Sequence, residues 1–114
     1  MTEKEIVSGF FIEGYQNHNY DFVKSVVSPA YIDHSPAGAR SGEDAVNILK
    51  IAAARYAGMQ AVILDLFAEG GMVATRVKFS GVREGERVSF EALENFKVEN
   101  GLITESWGYW PEGF

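Results

Sequence analysis

Three short turn signals, Glu69-Gly70-Gly71, Glu84-Gly85-Glu86 and Asn100-Gly101, cut the second half of the chain into β-rich runs. Each is a tight-turn sequence of the kind that joins neighbouring antiparallel strands. From Met59 onward the pattern therefore predicts a four-stranded antiparallel meander. Its strands run to about ten residues, longer than the usual five or six, and long strands coil into a strongly curved sheet when one face packs on helices. The first half follows a different period. Thr2 and Glu5 have the capping-box spacing, and Ile6, Val7, Phe10, Phe11, Gly14 and Tyr15 then recur as a helical stripe, predicting a helix over residues 3–17. Asn19 caps a second, shorter helix with Phe22, Val23, Val26 and Val27 inward, ending before Pro29 because the residue preceding proline disfavours helical geometry. Ala30 to His34 reads as a short extended stretch, and Pro36, Gly38 and Gly42 mark a loop. Ser41 and Asp44 repeat the capping spacing ahead of Ala45, Val46, Ile48, Leu49, Ala52 and Ala53, which places a third helix over 43–56. Helices first and sheet second is an α+β arrangement: N-terminal helices packed on a strongly curved antiparallel sheet that encloses a pocket.

At 114 residues the chain is one domain, 1–114, since two would each lack an adequate core. Ten Lys and Arg against sixteen Asp and Glu give a net charge of −6, which opposes phosphate backbones and anionic lipid. Neither nucleic acid nor a membrane is an expected partner. The chain has no Cys, which removes disulfides and thiolate chemistry. No basic-then-apolar leader opens the sequence and no long uncharged apolar run interrupts it, so a cytoplasmic location is the expectation. Nucleophile-elbow, phosphate-loop and dinucleotide fingerprints are absent, which leaves acid–base chemistry or binding alone.

Strand alternation then selects candidate site residues. Between Arg87 and Glu99, one parity reads Val88, Phe90, Ala92, Glu94, Phe96 and Val98, the face that must meet the core. Glu94 is a lone carboxyl in that apolar row, where desolvation raises its pKa and suits it to proton transfer; the competing reading is a structural acid satisfied by a partner. In the preceding strand Val73, Thr75, Val77 and Phe79 share one side. The last strand is ambiguous: Leu102, Thr104, Ser106, Gly108 and Trp110 oppose Ile103, Glu105, Trp107 and Tyr109, with aromatics on both faces. Apolar Ile103, Trp107 and Tyr109 on an outer face predict a homodimer. His34, beside Asp33 and ahead of Ser35-Pro36, is expected at the open end of the sheet, where an imidazole could shuttle protons, against the alternative of a surface-loop histidine. His18 reads as a helix-terminus residue, and with His34 it lacks the paired spacing of a zinc motif, so no metal or other cofactor is expected. The expected pocket takes a small apolar molecule and is lined by Tyr15, Val77, Phe79, Val88, Phe90, Phe96 and Trp110.

Three segments carry a family resemblance: Asp33-His34-Ser35-Pro36, Leu64-Asp65-Leu66-Phe67-Ala68-Glu69-Gly70, and the run from Phe90 to Trp107, FEALENFKVENGLITESW. On these the chain resembles the SnoaL-like polyketide cyclases (ester cyclases) of the NTF2-like superfamily, over nearly its whole length. The resemblance implies an α+β cone whose cavity binds the ligand. It also implies an intramolecular aldol closure without cofactor or metal, run by an aspartic acid on the last strand and a histidine on the strand before. Matched through the Asn-Gly turn, the aspartate position falls on Gly108 and the histidine position on Glu94, so that pair is absent as such. Two functions stay open. One is a cofactor-free enzyme of cyclase or isomerase type, in which His34 and Glu94 are the catalytic residues and act on a small apolar carbonyl compound. The other is a non-catalytic small-molecule-binding or dimerising domain.

Overall fold

The computed structural model describes residues Met1–Phe114. The Thr2–Glu5 capping box forms as read, with Thr2 Oγ1 accepting from the Glu5 amide at 3.1 Å and Glu5 Oε1 accepting from the Thr2 amide at 2.9 Å. It opens α1 (Glu3–Gly9), which continues as a π-helix over Phe10–Gln16. The wider turn is visible in the Asn17 amide donating to the Ile12 carbonyl, five residues back, at 2.9 Å. It lets Phe10, Phe11, Gly14 and Tyr15 all bury at once. Asn19 Oδ1 caps α2 (Tyr20–Val26) by accepting from the Phe22 amide at 3.2 Å. Ser41 caps α3 (Gly42–Arg55), where Ala45, Val46, Leu49 and Ala52 face the core.

The expected meander is present as β2 (Ala57–Glu69), β3 (Met72–Arg83), β4 (Glu86–Glu99) and β5 (Leu102–Tyr109), each antiparallel to its sequence neighbour. A fifth strand, β1 (Val27–Asp33), was only partly legible as the extended stretch from Ala30 to His34. It lies at the sheet edge beside β5 and runs parallel to it, so the sheet is mixed, in the order β1-β5-β4-β3-β2. Its register sets Asp33 opposite Ser106. Two register shifts in β2, between Ala57 and Gln60 and between Ile63 and Asp65, bend that strand around the helices.

The inward faces of β3 and β4 follow the alternation: Val73, Thr75, Val77 and Phe79, with Phe90, Ala92, Glu94, Phe96 and Val98, are all buried. In β5 the alternation breaks. Ile103 pairs with Val98 whereas Glu105 pairs with Lys97, so Thr104 is an extra residue opposite a single step of β4. That bulge carries Ile103 into the core at 0 % exposure while Ser106 and Gly108 also face inward. Ile103 is thus no part of an outer apolar face. Trp107 is half-buried and Tyr109 is 67 % exposed. No helix is long and apolar enough to cross a membrane.

Candidate functional site

A cavity of about 440 Å³ opens between the helices and the sheet. Glu94, Gly108 and Trp110 form its sheet-side wall. Tyr15 enters from the π-helix, and Ile48, Ile51, Ala52 and Arg55 line it from α3. Asp33, Ser35, Pro36 and Ala37 close one end, and Tyr56 and Phe114 complete the lining.

Glu94 reaches this cavity because the pleat of β4 turns it inward, and it has room because its cross-strand partner is Gly108. A β-carbon at Gly108 would lie 3.0 Å from Glu94 Oε1 and 3.4 Å from its Cγ, so the glutamate side chain occupies the space a residue there would need. Glu94 Oε2 is buried with no hydrogen-bond partner. Burial, reinforced by the nearby charge of Asp33, pushes the carboxyl up to about 8, with the Trp110 indole acting in the opposite direction. At neutral pH it is mostly a neutral acid.

Asp33 stands in a contrasting setting. Its Oδ1 accepts from the Ser35 amide at 2.9 Å and from Ser106 Oγ at 3.0 Å, and its Oδ2 accepts from Ser35 Oγ. Ser106 has one proton and gives it to Asp33, so the Tyr31 hydroxyl must donate to Ser106 Oγ, making a buried chain Tyr31–Ser106–Asp33. Burial first, and then the nearby acids, push the Tyr15 phenol well above its usual value; burial likewise raises Tyr31. Both remain neutral hydroxyls. One cavity thus holds a carboxyl that burial keeps protonated and a second carboxyl that accepts three hydrogen bonds.

The structure brings Glu94, Tyr15 and Trp110 together in the cavity lining, and places the other named residues elsewhere. His34 does not line the cavity. Successive residues of a strand face opposite ways, so with Asp33 inward, His34 points outward, where Nε2 pairs with Glu105 Oε2 at 2.8 Å and the ring stacks on Trp107 at 5.1 Å. Its side chain is 40 % exposed. Val77, Phe79, Phe90 and Phe96 are core residues that do not reach the lining, and Val88 is also outside it. The chain end covers part of this layer: Trp110 packs on Phe79 at 5.0 Å and on Phe90 at 4.9 Å, and Phe114 stacks on Phe90 at 4.5 Å. The wall presented to a ligand is therefore Trp110 and Phe114, and the pocket is mixed rather than apolar throughout. Asp33, Ser35, Ser106 and Arg55 were missed. Asp33 had a signal, since Val27, Tyr31 and Asp33 fall on one parity of β1 and all are buried while Ile32 is exposed. No cluster of three or more His, Asp or Glu side chains is arranged to hold a metal ion.

The family model for the SnoaL-like domain matches residues 9–106. The chain belongs to this family. No curated protein matches the sequence significantly. Among solved structures, IdmH of Streptomyces antibioticus, described as a candidate polyketide cyclase, superposes with a TM-score of 0.88 at 20 % identity, over 97 % of this chain and 93 % of IdmH. A candidate SnoaL-like polyketide cyclase from Jannaschia sp. CCS1 gives a TM-score of 0.86 at 16 % identity, over 96 % of this chain and 85 % of the other. An epoxide hydrolase from M. tuberculosis, of the LEH-like type, gives 0.80 at 23 % identity, over 95 % and 81 %. At these identities the likeness is one of fold, the NTF2-like α+β cone, here built on an open sheet.

Proposed function

We propose that the chain is an acid–base enzyme of cyclase or isomerase type, acting on a small carbonyl compound without a cofactor. Support comes from one observation above the rest: Glu94, buried with Oε2 unpartnered, lines the same cavity as the hydrogen-bonded Asp33 carboxylate. In this scheme neutral Glu94 gives its proton to the carbonyl oxygen as Asp33 takes a proton from the adjacent carbon, which yields the enol. The enol O–H then returns its proton to Glu94 as the carbonyl re-forms, while the Asp33 proton goes either to the far carbon of a conjugated dienol, which isomerises the compound, or to the oxygen of a second carbonyl that the enol carbon attacks, which closes a ring. Both acids are then back in their starting states. His34 has no part in it, being paired with Glu105 outside the cavity.

The test is solvent-deuterium incorporation into the methyl group of acetophenone in D₂O. Protein-dependent deuteration that falls by about 10²- to 10⁴-fold in Glu94→Gln is expected, the usual contribution of one general acid or base. Binding without deuteration would contradict the proposal and leave a ligand-binding domain.

We further propose that the chain associates with a second copy through the outer face of the sheet. There Leu93, 54 % exposed, is the cross-strand neighbour of Tyr109. Sedimentation equilibrium at micromolar concentration should give twice the chain mass of 12.6 kDa, and Leu93→Glu should halve it. A wild-type species of single chain mass contradicts this.

A further inference from the structure

The cavity contains one cation, and the proposed chemistry gives it no task. Arg55 is exposed on the last turn of α3, lines the cavity, and makes no ion pair or hydrogen bond through its guanidinium. Arg76, Arg83 and Lys97 are engaged, by Asp65 and Glu91, by the Gly113 carbonyl, and by Glu99 and Glu105. Lys4, Lys24, Arg40, Lys78 and Arg87 are as free as Arg55, and what sets Arg55 apart is its place in the cavity lining. A basic residue near a helix C-terminus gains a little from the helix dipole, which explains its place in the sequence but not its presentation to a ligand cavity.

Ile48, Ile51, Ala52 and Arg55 fall on one face of α3 at three- and four-residue spacing. The first three give that wall an apolar stripe, and Arg55 ends it roughly 10 Å further along the helix axis from Ile48. Glu94 lies on the sheet-side wall. A ligand that reaches both therefore has a carbonyl near Glu94, an apolar body along the stripe and an anionic group at the guanidinium.

Resting on the acid–base reading above, we propose that the substrate is an oxo acid: a carbonyl compound with a carboxylate, which Arg55 binds and thereby uses to select it. A carboxylate fits better than a phosphate. One guanidinium fork matches two carboxylate oxygens and their single charge, whereas a phosphate dianion would need a second cation that the lining lacks. No proton or bond changes at Arg55, so its role is specificity.

The experiment measures binding of 4-acetylbenzoate and of methyl 4-acetylbenzoate, which share a ketone and a ring and differ in charge. Isothermal titration with the wild-type protein is expected to show the acid binding about tenfold tighter than the ester, as one charge-assisted pair in a partly dry site would give. Arg55→Gln should remove the preference by weakening the acid alone, Arg55→Lys should restore part of it, and added salt should reduce it. Equal affinity for both compounds, a preference that survives Arg55→Gln, or no saturable binding of the acid would each overturn the proposal. Deuteration of the acetyl group in the Glu94→Gln variant reads the acid–base scheme separately. A carboxylate preference lost with Arg55 but no Glu94-dependent exchange would sustain the selection by Arg55 while removing the chemistry.

Discussion

Glu94→Gln is expected to make the protein inactive yet more stable in alkaline solution, with a stability gain that grows with pH. The sign follows from proton counting. In the unfolded chain the carboxyl titrates near its ordinary value of 4.5, whereas in the folded protein it titrates near 8. Between these values the folded state holds the proton that the unfolded state has released, so raising the pH favours unfolding. Below about pH 4.5 both states are protonated and the variant and wild type should differ little. Above pH 8 the full difference is present, roughly 3 to 5 kcal/mol from a shift of this size. Glutamine keeps the shape, removes the titration and leaves only a neutral amide to desolvate. For a domain of this length, thermal melts at pH 9 should place the variant on the order of 10 °C above wild type, with the two converging toward pH 5. Parallel melting curves at every pH would show that Glu94 does not carry the proton assigned to it.

The second large effect is at Gly108. Gly108→Asp puts a third carboxyl beside Glu94 and Asp33, and its β-carbon alone would lie 3.0 Å from Glu94 Oε1 and 3.5 Å from the Ser35 β-carbon. Crowding and an added buried charge act together, and a loss of about 3 kcal/mol or more is expected. The same substitution made in a Glu94→His background should cost much less. A histidine at 94 removes the competing carboxyl and offers the new aspartate a positive partner, the arrangement that the SnoaL-like cyclases imply. Denaturant unfolding of the two single variants and the double variant gives the coupling directly, and a value above about 1 kcal/mol in the compensating direction is expected. Strict additivity would mean that Glu94 does not fill the Gly108 space.

These effects were legible in the sequence to different degrees. Glu94 was visible because β4 alternates without interruption, so that one charged residue in the row Phe90, Ala92, Phe96, Val98 stands out. The helices were visible through the side-chain caps at Thr2, Asn19 and Ser41, which are local devices. The pairing of β1 with β5 joins residues more than seventy positions apart, and no local turn announces a parallel neighbour. The parity of β1 marked Asp33 as inward, but its setting was hidden for that reason, since Ser106 is supplied by the far strand. The bulge at Thr104 was equally silent, because one extra residue reverses the facing of Ile103 without changing composition. Phe79 and Phe90 were misassigned to the lining because Phe114, beyond the Pro111 break and outside any period, covers Phe90 from the chain end, while Trp110 packs on both.

The proposed proton transfer needs a Glu94 carboxyl that stays protonated in its cavity at neutral pH. Its most direct test is the carbon-13 NMR titration of the Glu94 side-chain carboxyl, assigned by its loss in Glu94→Gln, across pH 4 to 10. A midpoint near 8 is the expected result. A midpoint at or below 4.5 would mean an ionised, satisfied structural acid, and would contradict the proton-transfer role built on Glu94.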